Sequence, residues 1–177
     1  MFIAHAPAGY IAAKFAQKTI SKNEFETKLI LACGMFFSIL PDFDMIYFYT
    51  IDNRQNLHHS YWTHIPVFWI SCSLLVFLVS MLFRSRTIYL CGLMLMLATM
   101  VHLILDSVAG GILWLYPIDS TAYTLIDVPA QYGHWILNFV FHWSFLLELG
   151  ILALAVIVFL RRNEPIQTSP GRTKAET

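Results

Sequence analysis

The sequence is short of charge: 12% of its 177 residues are Asp, Glu, Lys or Arg, about half the share in soluble domains. That shortage excludes a surface solvated by water on every side. Eleven basic and eleven acidic residues cancel to zero, which excludes the basic footprint of a nucleic-acid binder. Cysteine is scarce too. Cys33, Cys72 and Cys91 lie in apolar runs without a CxxC pair, so neither a disulfide framework nor cysteine-ligated zinc is expected. The opening MFIAHAPAGYIAAKF lacks the basic start and apolar core of a cleaved signal, and no removal of it is expected. No internal repeat is present.

What fills the chain is apolar: 58% hydrophobic residues and a mean hydropathy of +0.62. An integral membrane protein of one domain is expected, an all-α bundle of four or five membrane-associated helices. Residues His5 to Ile20 read as an amphipathic interfacial helix or short span, and Thr27 to Leu40 as a second helix capped from Ser21 or Asn23. Ile65 to Phe83 is long enough to span, at about 28 Å. Ile88 to Leu105 returns across, Val108 to Pro117 reads as a partial or re-entrant element, and Trp135 to Leu160 as one long final span. The membrane-embedded domain is thus set at residues 1–162. The polar tail, 163–177, rich in Pro, Ser and Thr, is expected to be disordered.

Basic residues cluster at Lys18, Lys22 and Lys28, at Arg84 and Arg86, and at Arg161 and Arg162. Placing these in the cytoplasm satisfies one alternating path, with the tail cytoplasmic. The opposite helix ends then carry His5, Asp42, Asp44, His59, His64, His102, Asp106, His134 and His142, all on the non-cytoplasmic side.

The densest chemistry is LHHSYWTH, residues 57–64, immediately before an apolar run. His102 and Asp106 are spaced i, i+4, which puts imidazole and carboxylate on one helix face. Such a pair suits zinc or another divalent ion. Asp42 and Asp44 follow Pro41, where the backbone need not stay helical, and either could hold metal or take a proton. His59 and His64 are too far round a helix to share a face, so at least one must precede it. Glu148 falls deep in the last span, where an ionisable group needs a partner or a proton. The bland readings are polar helix ends, interfacial histidines and solvated acids.

The order His5, Gly9, then Leu40-Pro41-Asp42-Phe43-Asp44, His59-Ser60-Tyr61-Trp62-Thr63-His64 and His102-Leu103-Ile104-Leu105-Asp106 is followed by a glycine-containing stretch ending Leu113-Trp114-Leu115-Tyr116-Pro117. It resembles the bacterial inner-membrane, LexA-regulated family of the YdjM type, described as metal-dependent hydrolases. The resemblance runs from residue 5 to 117. Where family members read His-Arg-Gly-x-Thr-His, this chain has Ser60 and Tyr61, so the anion-binding role that arginine would offer is missing. A looser similarity to zinc-dependent phospholipase C enzymes rests on the His102/Asp106 spacing. Their later His-x-x-x-Glu pair has no counterpart, since His142 and Glu148 are six apart.

The resulting expectation is a multi-pass protein of the bacterial inner membrane that hydrolyses an ester or phosphoester, lipid or lipid-linked, at the non-cytoplasmic face. One or two divalent ions, zinc by donor set, would be held by His64, His102, Asp106 and Asp42, supported by His59, Asp44 and His5. Asp44 or Glu148 would take the proton. The competing expectations are a membrane metal-handling or transport protein, whose polar residues should form a path across the bilayer, and a structural membrane protein that binds no metal.

Overall fold

The computed structural model describes residues 3–56 and 58–161. The expected disordered tail, with Leu57 and Arg162, lies outside these described residues. Within them the chain is all-helical, with seven α-helices and three short 3-10 turns. Helix α1 spans His5–Ile20, α2 Glu24–Ile39, α3 Asp44–Thr50, α4 Pro66–Leu82, α5 Arg86–Ala109, α6 Trp135–Val140 and α7 Phe145–Leu160.

Helix α5 is the axis of the assembly and packs against α1, α2 and α4, while α7 rests on α1. Its buried ridge recurs every fourth residue: Leu90, Met94, Ala98, His102, Asp106. The same geometry that buries three apolar side chains therefore delivers His102 and Asp106 to the interior. Leu90 and Met94 pack with Ala13 of α1 and Ile30 of α2.

Helices α1 and α2 cross with almost no side chain between them. A Cβ on Gly9 would overlap the Ser38 side chain and the Gly34 carbonyl, and one on Gly34 would overlap Ala13. Small residues at such a crossing let backbones approach closely. The consequence is positional, because this crossing sets the start of α1, with His5, against the end of α2.

At 24 residues, α5 reaches about 36 Å and is the one described helix long and apolar enough to cross a membrane by itself. Helix α2 passes the same test only together with Pro41–Thr50, across a 46° bend. Helices α4 and α7, at 17 and 16 residues, reach about 26 and 24 Å, below the roughly 30 Å of a hydrocarbon core. Their outer faces are nonetheless open and apolar, as at Leu78, Met81, Leu146 and Phe159.

Two sequence expectations change. The long span from Trp135 to Leu160 is two helices, broken at Phe141–Ser144. The break holds because the His142 ring turns back onto its own chain: Nδ1 lies 2.9 Å from Ser144 Oγ and accepts the Ser144 N–H at 3.4 Å. Residues 110–133 form no membrane helix; they are irregular, closed by an isolated bridge between Ile112 and Tyr123. The cysteines are free thiols, although Cys33 and Cys91 Sγ stand 3.8 Å apart.

Candidate metal centre

Four elements converge at the C-terminal end of α5. The first residue of α1 is His5, 1% exposed. Pro41, which has no N–H to continue a helix, opens the 3-10 turn Pro41–Phe43 and so turns Asp42 inward, with Asp44 beginning α3. Two further 3-10 turns, His58–Ser60 and Trp62–His64, precede α4. All three histidines thus lie before the helix, outside its periodicity.

His5 Nε2 lies 3.2 Å from Asp106 Oδ1 and 3.8 Å from Asp42 Oδ2. His102 Nε2 lies 2.9 Å from Asp106 Oδ2 and 3.8 Å from Asp42 Oδ1. The rings of His5 and His102 stack at 3.8 Å. Ligand atoms of these four residues all fall within 4.8 Å of one another, and those of His58, His59 and His64 do likewise. The two groups are contiguous: His64 Nε2 is 3.4 Å from His102 Nε2 and 3.6 Å from Asp106 Oδ2, and His59 Nε2 is 3.8 Å from Asp106 Oδ2. Gly110 makes room for His59, since a Cβ there would overlap the ring.

The hydrogen-bond partners fix the tautomers. His102 Nδ1 lies 2.8 Å from the Ser38 carbonyl, which can only accept, so Nδ1 carries a hydrogen; Nε2, 2.9 Å from Asp106 Oδ2, then presents a lone pair inward when the ring is neutral and a second N–H to the carboxylate when it is protonated. His64 Nδ1 faces Asp44 Oδ2 at 3.1 Å, with the same consequence. Asp44 also accepts the Thr63 hydroxyl. With both rings neutral, two nitrogen lone pairs therefore meet at 3.4 Å, with carboxylate oxygens of Asp42 and Asp106 in the same space. Such a cage of electron pairs is repulsive unless a cation enters it.

The proton is one such cation. Burial pulls the His64 imidazole down, but hydrogen bonds to Asp42 and Asp44 outweigh it and leave the ring above its usual range. His58 has Nε2 3.4 Å from Asp42 and Nδ1 3.2 Å from Asp44. Burial again opposes, but the two carboxylates carry it up to about 9. His59 goes the other way: burial, only partly offset by Asp106, pushes it down to about 3. It is a neutral ring with a lone pair to give.

The remaining sequence candidates lie elsewhere. Glu148 is fully buried and accepts the Ile3 N–H at 2.6 Å, so it anchors the segment that leads into His5 without joining either group. His142 folds onto Ser144, and His134 caps α6 by accepting the Ile136 N–H at 3.3 Å. The sequence groups His58 with His59 and His64 as a candidate site but leaves it out of the expected ligand set, although the His-His doublet signals it. It had no signal for the Ser38 carbonyl.

Asp42, His58 and His59 form the open side of the cluster and face a cavity of about 930 Å³. One wall carries these residues with Arg54 and Asn56, and the other, drawn from residues 109–139, is apolar except for Asn138.

An apolar exterior around a long central helix, with buried imidazoles and carboxylates gathered at one end, defines a helical membrane protein with a candidate metal centre. The chain belongs to the YdjM inner membrane protein family, whose profile matches residues 1–166. No curated protein and no solved structure matches it.

Proposed function

We propose that this chain is a membrane-bound, metal-dependent hydrolase of esters or phosphoesters, with its site on the non-cytoplasmic face. The observation that carries the reading is the approach of His64 Nε2 and His102 Nε2 to 3.4 Å, beside the carboxylates of Asp42 and Asp106. The donor set of histidine and aspartate suits zinc. His5, Asp42, His102 and Asp106 would hold one ion. Asp42 and Asp106, which touch both groups, could be shared with a second held by His59 and His64. When bound, such ions supply Lewis-acid polarisation of the scissile group.

The chain's own residues do the rest. The Ser38 carbonyl and Asp44 hold His102 and His64 in the ligating tautomer, the role that outer-shell partners play at metal sites. Asp44 and Glu148 are not among the residues that line the cavity, so we assign both to positioning rather than proton transfer. Arg84 and Arg86 lie at the opposite end of α5, which supports a non-cytoplasmic site under the positive-inside rule. Below the cluster the α5 ridge is Ala98, Met94 and Leu90, and this argues against a polar path across the bilayer.

The test is the metal content of the full chain purified in detergent, paired with hydrolysis of a chromogenic phosphodiester. Bound metal and turnover in the parent, both lost in His102→Ala, are expected. Parent protein with no more metal than that variant would sink the proposal.

A further inference from the structure

The cavity beside the cluster has two unlike walls, and we propose that it receives an anionic amphiphile: a phosphate-bearing lipid whose phosphate lies between Arg54 and the His–Asp cluster. This rests on the hydrolase reading above and names its substrate class. Arg54 is the one cationic residue besides histidine that lines the cavity, and no carboxylate among the described residues pairs with it. A guanidinium presents a planar fork of donors that matches a phosphate.

Its position is built rather than incidental. Asn53 and Arg54 both adopt positive φ, 52° and 63°, a conformation that side chains other than glycine seldom take. Asp52 closes this turn by accepting the Asn56 N–H at 2.9 Å and its side-chain amide at 2.7 Å. The Arg54 N–H bonds the carbonyl of Phe48, itself a lining residue, at 3.1 Å.

The opposite wall, including Leu113, Val128 and Phe139, offers an acyl chain an apolar surface. Helix α3 and the connection after α5, which contribute to the two walls, also turn apolar side chains outward: Ile118 is 94% exposed, Leu125 78% and Ile46 68%. Apolar side chains exposed in this way suit contact with lipid, and a ligand reaching the cavity past them would then come from the bilayer rather than from water.

The test is binding to the full chain in neutral detergent, read by native mass spectrometry, with three probes. Lysophosphatidic acid has the phosphate and the chain, monoacylglycerol of equal chain length has no phosphate, and glycerol 3-phosphate has no chain. Lysophosphatidic acid should bind about tenfold tighter than the monoacylglycerol, the scale of a charge-assisted hydrogen bond. Arg54→Ala should erase that preference and leave the monoacylglycerol unchanged, and Arg54→Lys should restore part of it. Arg54 is exposed, so neither change threatens folding. Leu113→Asn should weaken both lipids and leave glycerol 3-phosphate alone.

Equal binding of the two lipids, or a preference that survives Arg54→Ala, would overturn the inference. Glycerol 3-phosphate binding as tightly as its lipid would also overturn it, in favour of a soluble phosphoester. Metal content of the same sample separates the two readings. Metal without charge preference sinks the substrate class alone, and charge preference without metal sinks the hydrolase alone.

Discussion

The two ends of α5 handle charge in opposite ways. At its first residue, Arg86 Nε lies 2.6 Å from Glu26 Oε1, and Nη2 lies 2.5 Å from the Ile20 carbonyl and 3.2 Å from Glu26 Oε2. The Lys22 N–H adds a bond to Glu26 at 2.8 Å. One cation meets one anion, donors meet acceptors, and the turn before α2 is fastened to the turn before α5. At the other end three carboxylates, Asp42, Asp44 and Asp106, share a small volume with five imidazoles. Acceptors exceed donors there unless protons or metal ions are added. A charge cluster that completes itself is a fastener. One left with acceptors in excess is, on the reading proposed above, a receptor.

Breaking the receptor end should have the largest effect. His102→Ala or Asp106→Ala is expected to abolish bound metal and to lower hydrolysis at least a hundredfold, while insertion into the membrane is kept. Metal analysis and turnover on the same preparation check this.

Asp44→Asn comes next, because it weakens the hold on His64 without removing a member of the group of four. A loss of about 10–100-fold in metal affinity is expected, the usual cost of removing an outer-shell partner. Unchanged affinity with abolished turnover would instead restore Asp44 as the proton acceptor.

At the fastener end, Glu26→Gln should lower the thermal midpoint by a few degrees and leave metal content alone. If metal content falls as well, the two ends are coupled and the comparison fails.

The smallest effect is on pH. In metal-free protein the raised pKa of His58, about 9 against an ordinary 6.5, contributes stability that is complete below pH 6.5. It is lost as pH rises through 9. Thermal unfolding of metal-free protein from pH 6 to 10 should show that decline, and His58→Gln should flatten it.

The convergence of the cluster residues at one end of α5 was largely legible in the sequence, and for definite reasons. The His102/Asp106 spacing survives because α5 is regular there, and His5 to Ile20 is helical over the range its pattern suggested. Asn23 was legible as a cap, and it accepts the Glu26 N–H at 2.9 Å. What stayed hidden depends on backbone rather than side-chain type. Hydropathy cannot see the break at Phe141–Ser144, since only His142 and Ser144 interrupt an otherwise apolar run there. Spacing cannot place His58, which sits in a 3-10 turn. Nothing in the spacing around Arg54 shows that it lines the cavity; that depends on the positive-φ turn at Asn53 and Arg54.

Pro41 ties two of these features together. Ser38 lies in the last turn of α2, where carbonyls have no partner further along the helix, and its carbonyl instead holds His102. The same interruption bends the chain by 46° and swings Asp42 inward. Were α2 to run straight on, Ser38 would bond to the next turn and Asp42 would leave the cluster together with it. The partner that orients His102 and the position of Asp42 therefore share a single hinge, so a change that straightened it would disturb both at once.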